Sequence, residues 1–220
     1  MNMPLIITGT PSKAWFEPSL ALAESLNRAD QERFRQFFDD NFGANTHDAL
    51  LKGTKPREIS NPTESALPSP PAKSVLTDLR ACWLGKVLLS SKKKTQVLAF
   101  YSSPEDYLAN LPGESDPIQA LEVWKESARC LLDLIRTHRS SITLLSVEEC
   151  MAAPEPFKGL LQEKFSIDSW EKPSQPEANA VRLALGKMHA QSNPQVASLL
   201  AELDAASHPL AGDLPPRISM

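Results

Sequence analysis

The chain has 220 residues, the size of one large domain, and a compact chain of this length buries roughly 70% of its unfolded surface. A second hydrophobic core is therefore not required. The formal net charge of -4 gives no field that would attract nucleic acid or anionic lipid, and the apolar runs fall far short of the ~20 residues of a membrane span. We expect a cytoplasmic protein with no nucleic-acid partner and no membrane span.

The first third of the chain predicts a strand, a helix and a long loop. Residues 5–7 are an apolar run that Gly9 and Pro11 break, which indicates a short buried strand. Residues 19–42 place apolar side chains at helical spacing and predict a long helix. Residues 53–73 are rich in Pro, which excludes a continuous helix or an interior strand and predicts an extended loop.

Two further apolar runs, at residues 96–101 and 142–147, end abruptly in polar, Pro-bearing sequence, as buried strands do at the edge of a sheet. One amphipathic helix joins them, and its start is marked by Asp116 as N-cap and Pro117 as first helical residue. A strand, crossover helix and strand form a parallel pair. The predicted fold class is therefore α/β, with a parallel sheet between helices on both faces in three layers.

The remaining segments predict further helices and one surface turn. Residues 75–89 carry apolar side chains at helical spacing, and the basic run 92–94 that follows is interpreted as a solvated turn. Residues 154–165 predict another helix, and Asn193 followed by Pro194 predicts the start of the last one.

The predicted domain organisation is one α/β domain at residues 1–172, which includes the Pro-rich loop. Residues 173–220 are predicted to be a C-terminal helical extension that packs on the same domain and ends in a mobile tail. We expect neither Pro-rich segment to contribute to the core. The three Cys and four His residues show no ligand spacing, which predicts no metal site.

Three segments resemble the P-loop sulfotransferase family. Residues 147–154, VEECMAAP, are similar to the Tyr-Glu-Asp-Leu-x-x-x-Pro signature that follows a core strand in that family. Residues 101–110, YSSPEDYLAN, are similar to its Arg-Asp-Pro-x-Asp-Val segment and the Ser that follows it. Residues 6–13, IITGTPSK, lie where the family has its phosphate-binding turn, usually Gly-x-Pro-Arg-Ser-Gly-Thr. The matches fall in the family's order and span residues 4–165.

The resemblance implies a P-loop sulfotransferase-like fold and a set of site residues for the donor 3′-phosphoadenosine 5′-phosphosulfate. Those implied to contact the phosphosulfate group are Gly9, Thr10, Pro11, Ser12 and Lys13. Those at the positions that hold the 3′-phosphate are Ser102 and Asn110. The candidate catalytic residues are Lys13, for charge stabilisation, and Glu17, as a base near the mouth of the turn. We expect Glu148 to be a hydrogen-bond partner at the strand end rather than a catalyst.

The chain also departs from the family pattern. Ser12 and Ser102 replace the two Arg residues that bind phosphate, and each lost bidentate contact removes a bond worth a few kcal/mol, so we expect no tightly bound donor. Trp15 and Phe16 stand where small hydroxyl residues normally bind the phosphosulfate.

Two hypotheses follow from these matches and departures. One is a divergent, bacterial-type sulfotransferase that moves a sulfuryl group to the hydroxyl of a glycan or small molecule. The other is a catalytically inactive relative that binds a protein or glycan partner through the Pro-rich loop or an exposed pair formed by Trp15 and Phe16. A nucleotide kinase is disfavoured because the sequence has no Gly-Lys-Ser/Thr motif to hold magnesium.

Overall fold

The computed structural model describes residues 3–54, 74–83, 89, 95–112, 115–168, 170 and 180–210. In chain order, the helices and strands of these residues are β1 (Leu5–Gly9), α1 (Lys13–Phe42), α2 (Thr46–Leu51), β2 (Val75–Thr77), a 3-10 helix (Leu79–Cys82), β3 (Gln96–Tyr101), α3 (Pro104–Ala109), α4 (Pro117–His138), a 3-10 turn (Arg139–Ser141), β4 (Ile142–Ser146), α5 (Val147–Ala152), α6 (Pro154–Phe165), α7 (Ala180–Gln191) and α8 (Pro194–Ala206).

The four strands form one parallel sheet in the order β2-β1-β3-β4. β1 pairs with β3 from Leu5 opposite Gln96, and β3 pairs with β4 from Val97 opposite Ile142. The three strands predicted from the sequence therefore lie side by side in the same direction, and that prediction is confirmed. β4 ends at Ser146, and Val147 is already the first residue of α5.

Helices flank this sheet, which divides the apolar interior into two clusters. Successive strand residues point to opposite faces, and accordingly Ile6 and Val97 lie in one cluster while Ile7 and Leu98 lie in the other. The α/β class with a parallel sheet is confirmed. The C-terminal helix α8 contributes Leu203 to the first cluster, so the expectation that the C-terminal segment stays out of the core is wrong.

Helix α1 begins six residues before the predicted start. Ser12 is its N-cap and accepts a hydrogen bond from the Ala14 N–H at 3.3 Å. The helix is kinked at Asn27, whose φ is -160°. Because of this kink, the half that contains Trp15 packs on one face of the sheet and the half that contains Phe38 packs on the other.

The long helix predicted at residues 75–89 is wrong over residues 75–83, and residues 84–88 lie outside the described part of the chain. Residues 75–77 are strand β2, which pairs in parallel with residues 5–7 of β1, and the 3-10 helix follows directly. The helical spacing of four apolar residues favours a helix here. The N–H and C=O groups along the edge of β1 need hydrogen-bond partners, however, and a parallel strand supplies them. The basic run 92–94 and the Pro-rich residues 55–73 lie outside the described residues.

Side chains from α1 cover the outer edge of β2. Gln31 donates to the Thr77 carbonyl at 2.6 Å and accepts from the Thr77 N–H at 3.0 Å, while Asn27 accepts from the Val75 N–H at 3.2 Å. These amides take the place that a neighbouring strand would occupy, and they close one edge of the sheet to further pairing.

The other predicted helices are confirmed. Asp116 caps α4 by accepting from the Ile118 N–H at 2.9 Å, and Asn193 caps α8. The sequence interpretation did not include the short helices α3 and α5 or the helix α7, which packs against α3.

Candidate functional site

The turn after β1 and the end of β3 meet at the carboxyl edge of the sheet, where the four parallel strands end. Because β2 lies on one side of β1 and β3 on the other, the chain reverses its winding direction between β1 and β3. In open α/β sheets, ligands bind in the crevice that forms outside the strands at this reversal. The structure therefore brings the turn at residues 9–13 and Ser102 together at the position where a donor site is expected.

The hydrogen bonds in this crevice join the two strands to each other. The Ser102 N–H donates to the Thr10 hydroxyl at 3.0 Å, and the two hydroxyl oxygens lie 3.5 Å apart. The Thr10 N–H donates to the Phe100 carbonyl at 2.9 Å. Thr10 and Ser102 are both buried, so their polar groups are satisfied by the protein and shielded from solvent.

Residue 9 must be glycine because β1 and β3 approach each other closely at this position. A Cβ atom at Gly9 would lie 2.1 Å from the Phe100 carbonyl oxygen, which is far inside van der Waals contact. The packing of β1 on β3 thus accounts for this glycine without a bound phosphate.

Two tryptophans close the crevice from either side. The Trp15 indole N–H donates to the Thr10 carbonyl at 2.8 Å, and its ring stacks on Phe100 with 5.6 Å between centroids. The Trp124 indole N–H donates to the Ser102 carbonyl at 3.0 Å. Each Trp is at most 1% exposed. The two indole rings are thus buried and bonded to the chain on either side of the crevice.

The predicted exposed Trp15–Phe16 pair is wrong, since the two side chains are 1% and 4% exposed. Because α1 starts at Lys13, both rings fall in its first turns and point onto the sheet, where they pack edge to face at 5.6 Å. This pair is part of the core and offers no surface to a partner.

Lys13 and Glu17 lie at the start of α1, four residues apart, and both are exposed. Lys13 is the first helical residue, Ser12 is the N-cap, and Pro11 precedes them in a buried position. Lys13 is thus the cation of the turn nearest to the helix N-terminus, a position that attracts anions.

Asn110 does not join the other predicted donor residues. Residues 104–109 form α3, which spans about 9 Å, and Asn110 is its C-cap at the far end from Ser102. Its side-chain amide donates to the Asp106 carbonyl at 2.7 Å. Asn110 was assigned to the site only by its match to the Ser position of the resembling family's segment, and the fold places it at the opposite end of α3.

Glu148 holds the ends of β3 and β4 together, as expected from the sequence. It accepts from the Ser103 N–H at 2.6 Å and from the Ser146 hydroxyl at 2.9 Å. Burial raises the pKa of Glu148 to about 7, and a hydrogen bond with Asp106 acts in the same direction. The protonated form of Glu148 is thus favoured over the ionised form to a higher pH than for an exposed carboxyl group.

A buried ionic cluster, which the sequence interpretation missed, lies at the end of β2. Arg80 binds Asp78 in a bidentate pair at 2.9 and 2.8 Å and binds Asp39 at 2.7 Å. Its guanidinium also lies 5.2 Å from the centre of the Phe38 ring. Asp78 and Arg80 are at most 2% exposed. The sequence does contain an indication of this cluster, because charged residues directly after an apolar run are typical of the end of a strand. The helix predicted over the same residues led to a different interpretation.

His47, in α2, packs 4.3 Å from the Phe16 ring near this cluster. Burial lowers the pKa of His47, and the positive charge of Arg80 acts in the same direction while Asp78 opposes it. The ring is held in place by aromatic packing.

Among the described residues, no helix is long and apolar enough to cross a membrane, and no three His, Cys, Asp or Glu side chains are grouped to hold a metal ion. Comparison of the chain with protein-family models, with curated proteins and with solved structures gives no match.

Proposed function

We propose that this chain is a non-catalytic binding protein on a sulfotransferase-like α/β scaffold. The observation that supports this most directly is the bond from the Ser102 N–H to the Thr10 hydroxyl, with Trp15 and Trp124 packed on either side. A donor that used the Ser102 N–H would have to break its bond to the Thr10 hydroxyl.

The charge distribution supports the same conclusion. The two positions that carry phosphate-binding Arg in the resembling family are Ser12 and Ser102 here. Ser102 is 2% exposed, and a phosphate brought beside it would be buried without a cation at that position. Burying an unpaired charge costs several kcal/mol. The donor is therefore expected to bind weakly, if it reaches the crevice.

The second candidate is the sulfotransferase itself, acting on the hydroxyl of a glycan or small molecule. One observation favours it, because Lys13 is exposed at the N-terminus of a 30-residue helix directly after β1. A helix N-terminus with an adjacent cation attracts anions. In this case the donor would bind outside the closed crevice, with Lys13 on its phosphosulfate and Glu17 as base.

Thermal unfolding with millimolar adenosine 3′,5′-bisphosphate, the desulfated donor, separates the two candidates. The non-catalytic protein is expected to show no shift in Tm. An enzyme at a hundred times its dissociation constant would gain about 2.7 kcal/mol, which is several degrees for a chain of this size.

The matched variants are Lys13→Ala and Lys158→Ala, which each remove one exposed cation. A shift that Lys13→Ala abolishes and Lys158→Ala retains would contradict the non-catalytic proposal and establish donor binding at the turn. A sulfuryl-transfer assay with labelled donor then decides whether binding leads to chemistry.

A further inference from the structure

A cavity of about 290 Å³ lies beside β4, away from the β1 turn. β4 is the last strand of the sheet, so one of its edges faces no other strand among the residues that the structure describes. We call this cavity the edge pocket. Its walls come from β4, from the ends of α4 and α6, and from residues 206–209 after α8. The volume is near the lower end of the range of small-molecule sites.

The edge pocket gathers three basic side chains from three separate parts of the chain. They are Arg139 after α4, Lys164 near the end of α6, and His208 after α8. Within the described residues, none of the three forms an ion pair. No carboxylate is among the described side chains that line the cavity.

Two other exposed arginines of the protein differ in this respect. Arg28 pairs with Glu32 at 3.1 Å, and Arg35 pairs with Glu24 at 2.9 Å. Exposed cations without an ion pair occur elsewhere among the described residues, as at Arg33 and Lys187, so the edge pocket is distinguished by bringing three basic groups together in one concave site. Such a site favours an anion, because low-dielectric walls focus the field of the cations.

The pocket also contains hydrogen-bond donors at its base. Thr143 is only 4% exposed and lines the cavity, and its hydroxyl has no protein partner among the described residues. The Leu144 carbonyl accepts from the His208 N–H at 2.8 Å, so this residue's backbone points to the free edge of β4. In a regular strand the N–H and C=O of one residue point to the same side, which aims the Leu144 N–H into the pocket.

The rest of the wall is apolar and includes Ile135, Ile142 and Pro209. A fully hydrated inorganic ion would leave this surface without a contact, whereas a ligand with a short hydrocarbon body would cover it. The ligand chemistry that fits both parts of the pocket is an oxyanion on a small apolar group.

We propose that the edge pocket binds a small organic oxyanion, a phosphate monoester or a carboxylate, with Arg139, Lys164 and Thr143 on the anionic head and Ile135 and Ile142 on the apolar body. This site is separate from the carboxyl edge, and the inference does not depend on whether the protein binds a sulfuryl donor.

The test is a titration of the ¹⁵N-labelled full chain, followed by its amide NMR signals. The probes are butyl phosphate, butyrate and inorganic phosphate, with butanol as the uncharged counterpart. We expect saturable shifts at Thr143, Leu144 and His208 with butyl phosphate or butyrate, weaker binding of inorganic phosphate, and none of butanol. The two organic probes distinguish a phosphate monoester from a carboxylate, and the tighter binder identifies the class.

Variants then test the assigned contacts. Lys164→Gln and Arg139→Gln each remove an exposed cation of the pocket and are expected to weaken binding by about tenfold, since a hydrogen bond to a charged group is lost. Lys158→Gln is the control on the same helix: Lys158 pairs with Glu155 at 3.2 Å and does not line the pocket, so this variant should bind as the unmodified chain does. The proposal is overturned if the three amide signals stay in place with both organic anions, if butanol binds equally well, or if Lys158→Gln weakens binding as much as Lys164→Gln.

Discussion

The carboxyl edge of the sheet and the side edge at β4 differ in whether their polar side chains are bonded within the protein. At the carboxyl edge, Thr10, Ser102 and Arg80 are buried and bonded to other parts of the protein. At the side edge, Arg139 and Lys164 border an open cavity without ion pairs among the described residues. At the position where α/β folds usually bind ligands, the polar groups are thus bonded within the protein. The side edge, an unusual position for a site, has the basic groups that remain available to a ligand.

This difference shows that a fold indicates where to look for a site and that the side chains decide whether one is there. Trp15, which is 1% exposed, makes this part of the crevice into packed core. Four substitutions, ordered from the largest expected effect to the smallest, test whether the carboxyl edge is structural.

Replacing Arg80 by Met is expected to have the largest effect. It leaves Asp78 buried without its cation, and removing one partner of a buried pair costs about 3 to 5 kcal/mol. Urea unfolding measures the loss. The double variant Asp78→Asn/Arg80→Met should recover a large part of it, because no buried charge then remains unpaired. A loss below about 1 kcal/mol for the single variant would show that this cluster is not structural.

Replacing Glu148 by Gln should change how stability depends on pH. Because the pKa of Glu148 is raised to about 7, the protonated folded form is favoured at low pH, and this contribution to stability is lost as pH rises from about 4.5 through 7. Unfolding free energies at pH 5 and pH 8 should show that the original chain loses roughly 2 to 3 kcal/mol relative to the Gln variant.

The control for that comparison is Glu163→Gln, which changes an exposed carboxylate of α6. Its pH dependence should follow that of the original chain. If Glu148→Gln and Glu163→Gln behave alike, burial does not raise the pKa of Glu148.

Replacing Thr10 by Val is expected to cost about 1 to 2 kcal/mol, because the buried Ser102 N–H loses its acceptor. Thr10→Ser keeps the hydroxyl and should lose less. Chemical denaturation of the two variants gives the comparison. A loss for Thr10→Ser as large as that for Thr10→Val would show that the hydrogen bond contributes no more than the packing of the Thr10 methyl group.

Replacing Lys13 by Ala should have the smallest effect, a change within about 0.5 kcal/mol, since the side chain is exposed. A cation at a helix N-terminus opposes the helix dipole, so the sign is expected to be slightly stabilising. The Tm of the variant measures this, and a loss of several degrees would indicate that Lys13 packs on another part of the protein.

Much of the fold could be predicted because it depends on local signals. The runs at 5–7, 96–101 and 142–147 are buried between layers, and Asp116 and Pro117 mark a helix start through local capping chemistry. Strand β2 was not predicted because a run of three residues is too short to show a hydrophobic period. Its conformation depends on its pairing with β1.

The site was harder to predict because its state depends on contacts between distant residues. The turn at 9–13 and Ser102 were correctly placed together, but whether the crevice is open depends on Trp124, which approaches from α4. The edge pocket gave no signal at all, since Arg139, Lys164 and His208 are spread over 70 positions and meet only in the folded chain.

Hydrogen exchange of the tryptophan indole N–H groups tests the closed crevice most directly. Trp15 and Trp124 donate to the carbonyls of Thr10 and Ser102, so both protons should exchange only through opening of the core, orders of magnitude more slowly than in free tryptophan. Exchange of both at nearly the free rate in the folded protein would show that the crevice is open to solvent, and it would contradict this account.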